Sequence, residues 1–222
     1  MRGKMRSKIS KSALVMIVVL LSALPIIKVK AASITGYCGD MNVCDSDGKY
    51  GTNAQFSFEN GVLTISGTGR TEFYESYTDA NGDWITVYGL DFFERKGIKR
   101  SEIKKCVVEN GITTIGDYFM GVENYTGKPG AACGVKEVVI PNSVTKIGNH
   151  SFIGCTGITT LTLPSGLTTI GYNAFSGCTG ITTLTLPSSL TTIGSNSFEG
   201  CAGMTSLTLP NGLTTIGEGM FS

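Results

Sequence analysis

Charge is scarce in this 222-residue chain: Asp, Glu, Lys and Arg make up 16% of it, against about 25% in an average protein. Histidine is almost missing, with His150 the single copy. Long apolar runs are absent after the first 27 residues, so no later segment has the roughly 20 apolar residues of a membrane-spanning helix. The basic charge that exists is crowded at one end, with seven Lys/Arg and no acid in the first 31 residues. Beyond Ala31, 11 basic residues face 17 acidic ones, a net of −6. A nucleic-acid reader needs a basic patch to neutralise phosphates, and this composition excludes that class. In contrast, Gly is abundant, at 30 residues.

The first 31 residues have the layout of a secretory signal. Arg2, Lys4, Arg6, Lys8 and Lys11 form a positive start, and Ala13 to Ile27 is a 15-residue apolar run. Val29-Lys30-Ala31 then offers small residues for cleavage after Ala31. An uncleaved anchor is the alternative reading. A secreted or cell-surface location follows, with no membrane span in the mature chain.

Self-comparison exposes a repeat. VKEVVIPNSVTKIGNHSFIGCTG (Val135–Gly157) is followed by ITTLTLPSGLTTIGYNAFSGCTG (Ile158–Gly180), then ITTLTLPSSLTTIGSNSFEGCAG (Ile181–Gly203), then MTSLTLPNGLTTIGEGMFS. Pro141, Pro164, Pro187 and Pro210 keep the register, as do Phe152, Phe175, Phe198 and Phe221, with no gap. Ile158, Leu161 and Leu163 are apolar, and Thr160 and Thr162 alternate with the two leucines as in a half-buried strand, which Pro164 ends for lack of a ladder donor. Leu167 and Ile170 add a second apolar pair, Gly171 permits a turn, and the Ala174-Phe175 pair returns a ring to the core. One 23-residue copy cannot bury its own apolar face, whereas stacked copies can. The expected architecture is a solenoid with ladders of identical side chains, the phenylalanines forming one and Cys155, Cys178 and Cys201 another.

These residues resemble the BspA-type leucine-rich repeat, with the pattern LxxLxLPxxLxxIGxxAFxxC. The likeness covers Val135 to Phe221. Ile103 to Gly134 is similar to a divergent first copy, with Ile112, Ile115, Gly116 and Met120 in register and a nine-residue insertion around Gly121–Cys133. Cys38–Asp40 through Glu59–Gly69 resembles the module that often precedes such repeats. The resemblance implies a right-handed leucine-rich-repeat solenoid, α/β by family convention but β-rich here, with a small β-rich N-terminal module. It implies a secreted or surface-attached bacterial protein that binds other macromolecules, sometimes as an adhesin, and no catalytic residue. The organisation expected is a signal peptide over 1–31, a capping module over 32–102 and repeats over 103–222.

In the front module, Gln55–Glu59 and Val62–Ser66 flank Asn60-Gly61, the strongest short signal for a two-residue hairpin turn. Phe58 would then face Leu63, and Phe56 would face Ile65. This hairpin can cover an open solenoid end. Arg70 to Lys99, rich in aromatic and acidic residues, reads as a folded loop with one short helix near Asp91–Lys96 ended by Gly97. The C-terminal coil has no lid; a longer array, or a partner over that edge, is expected there.

The chemical candidates are few. A zinc site needs four ligands converging tetrahedrally, whereas ladder thiols run parallel, so Cys155, Cys178 and Cys201 read as buried small hydrophobes. Cys38 and Cys44 form a candidate disulfide in a secreted chain, with Cys106 and Cys133 a second candidate pair. His150 stands where later copies have Asn173, Asn196 and Gly219, which reads as an exposed position. Alone, it cannot supply the base and orienting partner of a Cys–His or Ser–His–Asp site. Asp79–Asp83 opens like a calcium loop, but Trp84 and Leu90 stand where Gly and Glu are required. Asp45–Gly48 also reads as a turn. Asn124 and Asn149 begin glycosylation acceptor triplets. No cofactor is implied.

The surface carries the functional signal. Between Lys146 and Glu199 lie 52 residues without one Asp, Glu, Lys or Arg, 12 of them Thr. Thr160 and Thr162 would stack over Thr183 and Thr185, then Ser206 and Thr208, with Glu137 and Val139 at the same places in the first full copy. Such a face is cheap solvation of a sheet, a flat recognition surface for an extracellular protein or glycan, or an ice-ordering Thr array. Low charge and a regular hydroxyl face point to a non-catalytic extracellular binding module. A spacer that displays another domain, and an enzyme sited in the Arg70–Lys99 loop, are its alternatives.

Overall fold

The computed structural model describes residues 34–37, 54–71, 74–78, 84–121 and 133–220. The sequence-based expectations for the leader, for Cys38 and Cys44, for Asp45–Gly48 and Asp79–Asp83, for Asn124 and for Phe221 lie outside these residues. The first strand, β1 (Ile34–Tyr37), pairs antiparallel with β2 (Gln55–Glu59), which turns back into β3 (Val62–Ser66). The turn is Asn60-Gly61, with φ of 53° and 80°. Positive φ at both central residues is what the right-handed strand twist demands of a two-residue hairpin. Phe58 faces Leu63 and Phe56 faces Ile65, the register expected from the alternation.

Next come β4 (Gly69–Thr71), β5 (Tyr74–Thr78), β6 (Trp84–Tyr88) and the only helix among the described residues, α1 (Gly89–Arg95). The expected loop over Arg70–Lys99 is therefore corrected. Its middle is an antiparallel hairpin, with Tyr74 opposite Tyr88 and Thr78 opposite Trp84. The physical reason is composition, since YESYT and WITVY are rich in the aromatic and β-branched residues that favour strands. Helix α1 begins two residues earlier than Asp91 and stops before Gly97, whose φ of +86° ends it. Phe92 and Phe93 pack their edges on Phe56 at 5.8 and 5.3 Å between ring centres.

The repeats follow as alternating short strands: β7 (Lys105–Val108), β8 (Ile112–Ile115), β9 (Glu137–Val139), β10 (Lys146–Ile147), β11 (Thr160–Leu161) and β12 (Thr169–Ile170). The last four are β13 (Thr183–Thr185), β14 (Thr192–Ile193), β15 (Ser206–Thr208) and β16 (Thr215–Ile216). From β7 on, the odd-numbered strands join β1, β2 and β3 in one eight-stranded sheet, ordered β1-β2-β3-β7-β9-β11-β13-β15. From β8 on, the even-numbered strands join β4 in a six-stranded sheet, ordered β16-β14-β12-β10-β8-β4. All pairs from β7 and β8 onward are parallel, one copy against the next, and the parallel stacking reaches back to β3 on β7 and β4 on β8. Only one strand per copy was expected. The second arises at Thr169–Ile170 because Leu167 donates to the Pro164 carbonyl at 3.1 Å, a tight turn that returns the chain to extended form.

A third stretch of each coil has no regular secondary structure yet is also bonded coil to coil. The amides of His150, Phe152 and Gly154 donate to Tyr172, Ala174 and Ser176 at 2.7–2.8 Å, and those of Asn173, Phe175 and Gly177 to Ser195, Ser197 and Glu199 at 2.7–3.0 Å. Between these three edges runs one core. Ile158, Leu167, Ile170, Phe175, Ile181, Leu190 and Ile193 are fully buried. Phe152, Phe175 and Phe198 stack face to face at 5.2 and 5.5 Å, 3° from parallel, close to the inter-strand spacing of about 4.8 Å. The last described coil is more open, with Leu209 and Ile216 exposed.

Close stacking explains the glycine that follows each second strand. A Cβ on Gly171 would lie 2.7 Å from the Asn149 amide nitrogen and from the Gly148 carbonyl carbon. Gly171→Ala must therefore push two coils apart and should destabilise by about 1–3 kcal/mol. Phe175→Ala empties the middle of the ring stack and should cost about 3–5 kcal/mol. Urea denaturation followed by circular dichroism checks both, and an unchanged midpoint for either would contradict this stacking.

Candidate functional site

The outward face of the eight-stranded sheet carries the residues expected to form a recognition surface. Lys105, Glu137, Thr160, Thr183 and Ser206 form one column, each the register partner of the next. In a parallel column Thr64 meets Val107, Val107 meets Val139, and Thr185 meets Thr208. Thr160, Thr162, Thr183, Thr185, Ser206 and Thr208 are all exposed. Strand β11 ends at Leu161, so Thr162 lies just past the ladder and is not register-paired with Thr185. Toward the front the face changes character: Lys105 and Glu137 form an ion pair at 2.6 Å, and Val139 is 39% exposed. Charge thus ends where the threonines begin.

A second threonine column lines the other sheet. The hydroxyl of Thr168 donates to the Thr145 carbonyl at 3.0 Å, that of Thr191 to Thr168 at 3.2 Å, and that of Thr214 to Thr191 at 3.0 Å. Sequence reasoning missed this column, although the Thr-Thr pair before each Gly signals it. These hydroxyls are spent on joining coils.

The cysteines occupy two different places. Cys155, Cys178 and Cys201 are buried, and each thiol donates to a carbonyl one coil back: Met120 at 3.3 Å, Phe152 at 3.1 Å and Phe175 at 3.2 Å. A thiol is a weak donor in a small apolar body, which suits a buried carbonyl where larger side chains would not fit. The expected pairing of Cys106 with Cys133 is corrected: both are free thiols. Cys106 is the register partner of Val138, itself level with Leu161, so it stands at the leucine position of its strand. Cys133 instead extends the thiol ladder, its sulfur 3.1 Å from that of Cys155.

His150 is also corrected. It is half-buried, not exposed, because its ring stacks on Tyr118 at 4.7 Å and meets Tyr172 edge-on at 5.1 Å. Its φ is 54°, and Tyr118, Asn173, Asn196 and Gly219 share that left-handed conformation with φ of 52–65°. The His/Asn/Asn/Gly series was thus a backbone signal, since Asn and Gly tolerate this region best. Among the described residues, no three His, Cys, Asp or Glu side chains converge as a metal site, and no helix is long and apolar enough to cross a membrane.

A family model described as a BspA type leucine-rich repeat region of six copies matches residues 131–222. Residues 131–222 are a BspA-type leucine-rich repeat region. No curated protein matches the chain. Among solved structures, a leucine-rich repeat protein from Bacteroides ovatus is 22% identical with a TM-score of 0.49, over 76% of this chain and 43% of that one. A leucine-rich cell surface protein from Faecalibacterium prausnitzii is 22% identical with a TM-score of 0.42, over 76% of this chain and 50% of that one. The pneumococcal vaccine antigen PcpA is 18% identical with a TM-score of 0.44, over 84% of this chain and 48% of that one. The chain spans half or less of the length of each of these three.

Of the described cysteines, Cys106, Cys155, Cys178 and Cys201 are held protonated, whereas the hydrogen bond with Cys155 draws Cys133 below the ordinary thiol range. Burial pushes Cys178 well above the ordinary thiol range, and the front strand's Cys106 likewise, with Cys133 adding to the latter. Cys155 is raised by its hydrogen bond with Cys133 and by burial. Cys201, next to the more open last coil, is pushed up to about 11 by burial. The thiolate is the reactive form, so iodoacetamide at pH 8 should leave Cys106, Cys155 and Cys178 unmodified in the native chain. Urea should expose all three, as peptide mass mapping would read. An unfolded thiol ionises near ~8.5, so burying the neutral form stabilises the fold below that pH. That contribution is lost as pH rises toward the raised folded values. The urea midpoint should therefore fall between about pH 8.5 and 11.

Proposed function

We propose that the chain is a non-catalytic extracellular binding module. Its repeats form a right-handed solenoid, and residues 32–102 serve as the capping module ahead of the repeats at 103–222. The front 31 residues act as the export signal, cleaved after Ala31. The observation that carries this reading is the exposed hydroxyl column Thr160, Thr183 and Ser206, with Thr162, Thr185 and Thr208 beside it. It lies on a sheet whose inward residues, Leu161 and Leu184, are buried in the core. A rigid, flat and nearly charge-free face suits recognition by shape and hydrogen bonding, for an extracellular protein or a glycan. Long-range electrostatic steering contributes little there.

The test uses the full mature chain on surfaces coated separately with collagen and with mucin, a protein and a glycoprotein probe. Binding to at least one is expected, with little loss between 50 and 500 mM NaCl because few charges take part. The quadruple variant T160K/T162K/T183K/T185K should weaken that binding at least about tenfold, the loss of one strong contact cluster, while the urea midpoint barely moves. Binding that persists in the variant, or binding that salt abolishes, would refute the strand-face reading.

A further inference from the structure

Besides the buried phenylalanine ladder, three consecutive coils carry a second aromatic ring on the irregular third side, where the later copies have none. The left-handed position holds Tyr118 and His150 in the first two coils, at φ of 56° and 54°. The later coils place Asn173, Asn196 and Gly219 there. Tyrosine is unfavourable at positive φ, whereas His is among the residues found there more often, and local strain such as that at Tyr118 persists where surrounding structure holds it, most often at functional sites. The two rings stack 1° from parallel at 4.7 Å. In the third coil the ring moves one residue earlier, to Tyr172, where neighbouring coils have Asn149, Ser195 and Glu218. Tyr172 is turned 76° from His150 and is 42% exposed. The next coils add no ring to cover it.

The polar neighbours of this platform are fixed in place. Asn149 accepts the Tyr172 amide through its side-chain oxygen at 2.9 Å. The Asn149 amide in turn donates to Asp117 Oδ1 at 2.8 Å, and its side-chain nitrogen to Asp117 Oδ2 at 3.4 Å. Arg70 stands 3.7 Å from the same carboxylate, leaving this carboxylate–guanidinium pair without net charge. A partly exposed aromatic ring, flanked by a carboxamide and a neutralised carboxylate, matches a ligand with one apolar face and a rim of hydroxyls. That is a pyranose. The three coils span about 10 Å, two inter-strand spacings, commensurate with a disaccharide unit.

We infer that Tyr172, supported by the Tyr118–His150 stack and flanked by Asn149, which Asp117 holds in place, is a binding platform for a neutral glycan chain. Tyr172 contacts the sugar, and His150 is a positioning residue. The site lies after the second strand of the coil and is separate from the strand face proposed above. A quaternary ammonium ligand is disfavoured, because Arg70 already offsets the Asp117 charge.

Isothermal titration of the full mature chain with cellohexaose, xylohexaose, mannohexaose and chitohexaose tests this, with choline chloride as the cationic probe. At least one hexasaccharide should bind, and choline should not. Y172N, which installs the residue of the preceding coil, should weaken that binding at least about tenfold, in line with the loss of one stacking contact. Y172F should stay within about threefold, since the ring remains. H150N installs the residue that the following coils carry at this φ, so it should raise the urea midpoint or leave it unchanged while still weakening sugar binding. T183K, on the strand face, should leave sugar binding intact, which separates failure here from failure of the strand-face reading. Absence of binding to all four sugars, full affinity in Y172N, or choline binding lost in Y172N would each overturn the proposal.

Discussion

Coil-to-coil register is the constraint from which the other features follow. Each coil offers three backbone edges to the next: two short strands and the irregular stretch in which His150, Phe152 and Gly154 donate to Tyr172, Ala174 and Ser176. Strands of two or three residues have little stability of their own. They persist because every neighbour presents the same geometry at the same height. Anything that alters that height, such as a Cβ on Gly171, disturbs all three edges together. Identical side chains then fall into columns, and the same columns make both the core and the surface.

What fills a column depends on which edge it belongs to. Inward strand positions take Leu161 and Leu184, and the corner takes the stacked phenylalanines, which bury large area for few residues. Where a buried carbonyl is left between coils, the thiols of Cys155, Cys178 and Cys201 meet it. That double character, apolar body and weak donor, distinguishes these cysteines from disulfide formers. Cys106 instead stands at a leucine position of its strand, level with Val138. On the outside, the absence of charge over the middle copies is affordable because Thr hydroxyls and exposed edges already solvate the sheet.

Departures from the repeat carry more information than the repeat itself. The lysine–glutamate pair of the first coils marks where the hydroxyl face begins. Tyr118, His150 and Tyr172 mark a place where rings replace the polar residues or Gly of other coils, one of them, Tyr118, in a backbone conformation that does not favour it. Such departures are visible in an alignment of the copies. Their spatial meaning is not, because Tyr172 is offset by one residue from the column that Tyr118 and His150 share.

Periodicity alone determined the stacked architecture, the 23-residue step, the Phe and Cys columns and the strand-face threonines, since a strict repeat allows each residue only one kind of neighbour. The Asn60-Gly61 hairpin was equally legible, its turn type dictated by two residues that accept positive φ. Other features were decided only in three dimensions. The second sheet depends on a turn at Pro164 whose hydrogen bond no pattern displays. The β5–β6 hairpin replaced an expected loop because its strands find each other across five intervening residues. The free state of Cys106 and Cys133 and the burial of His150 depend on which coil lies alongside, a relation between distant residues that the order of amino acids does not state.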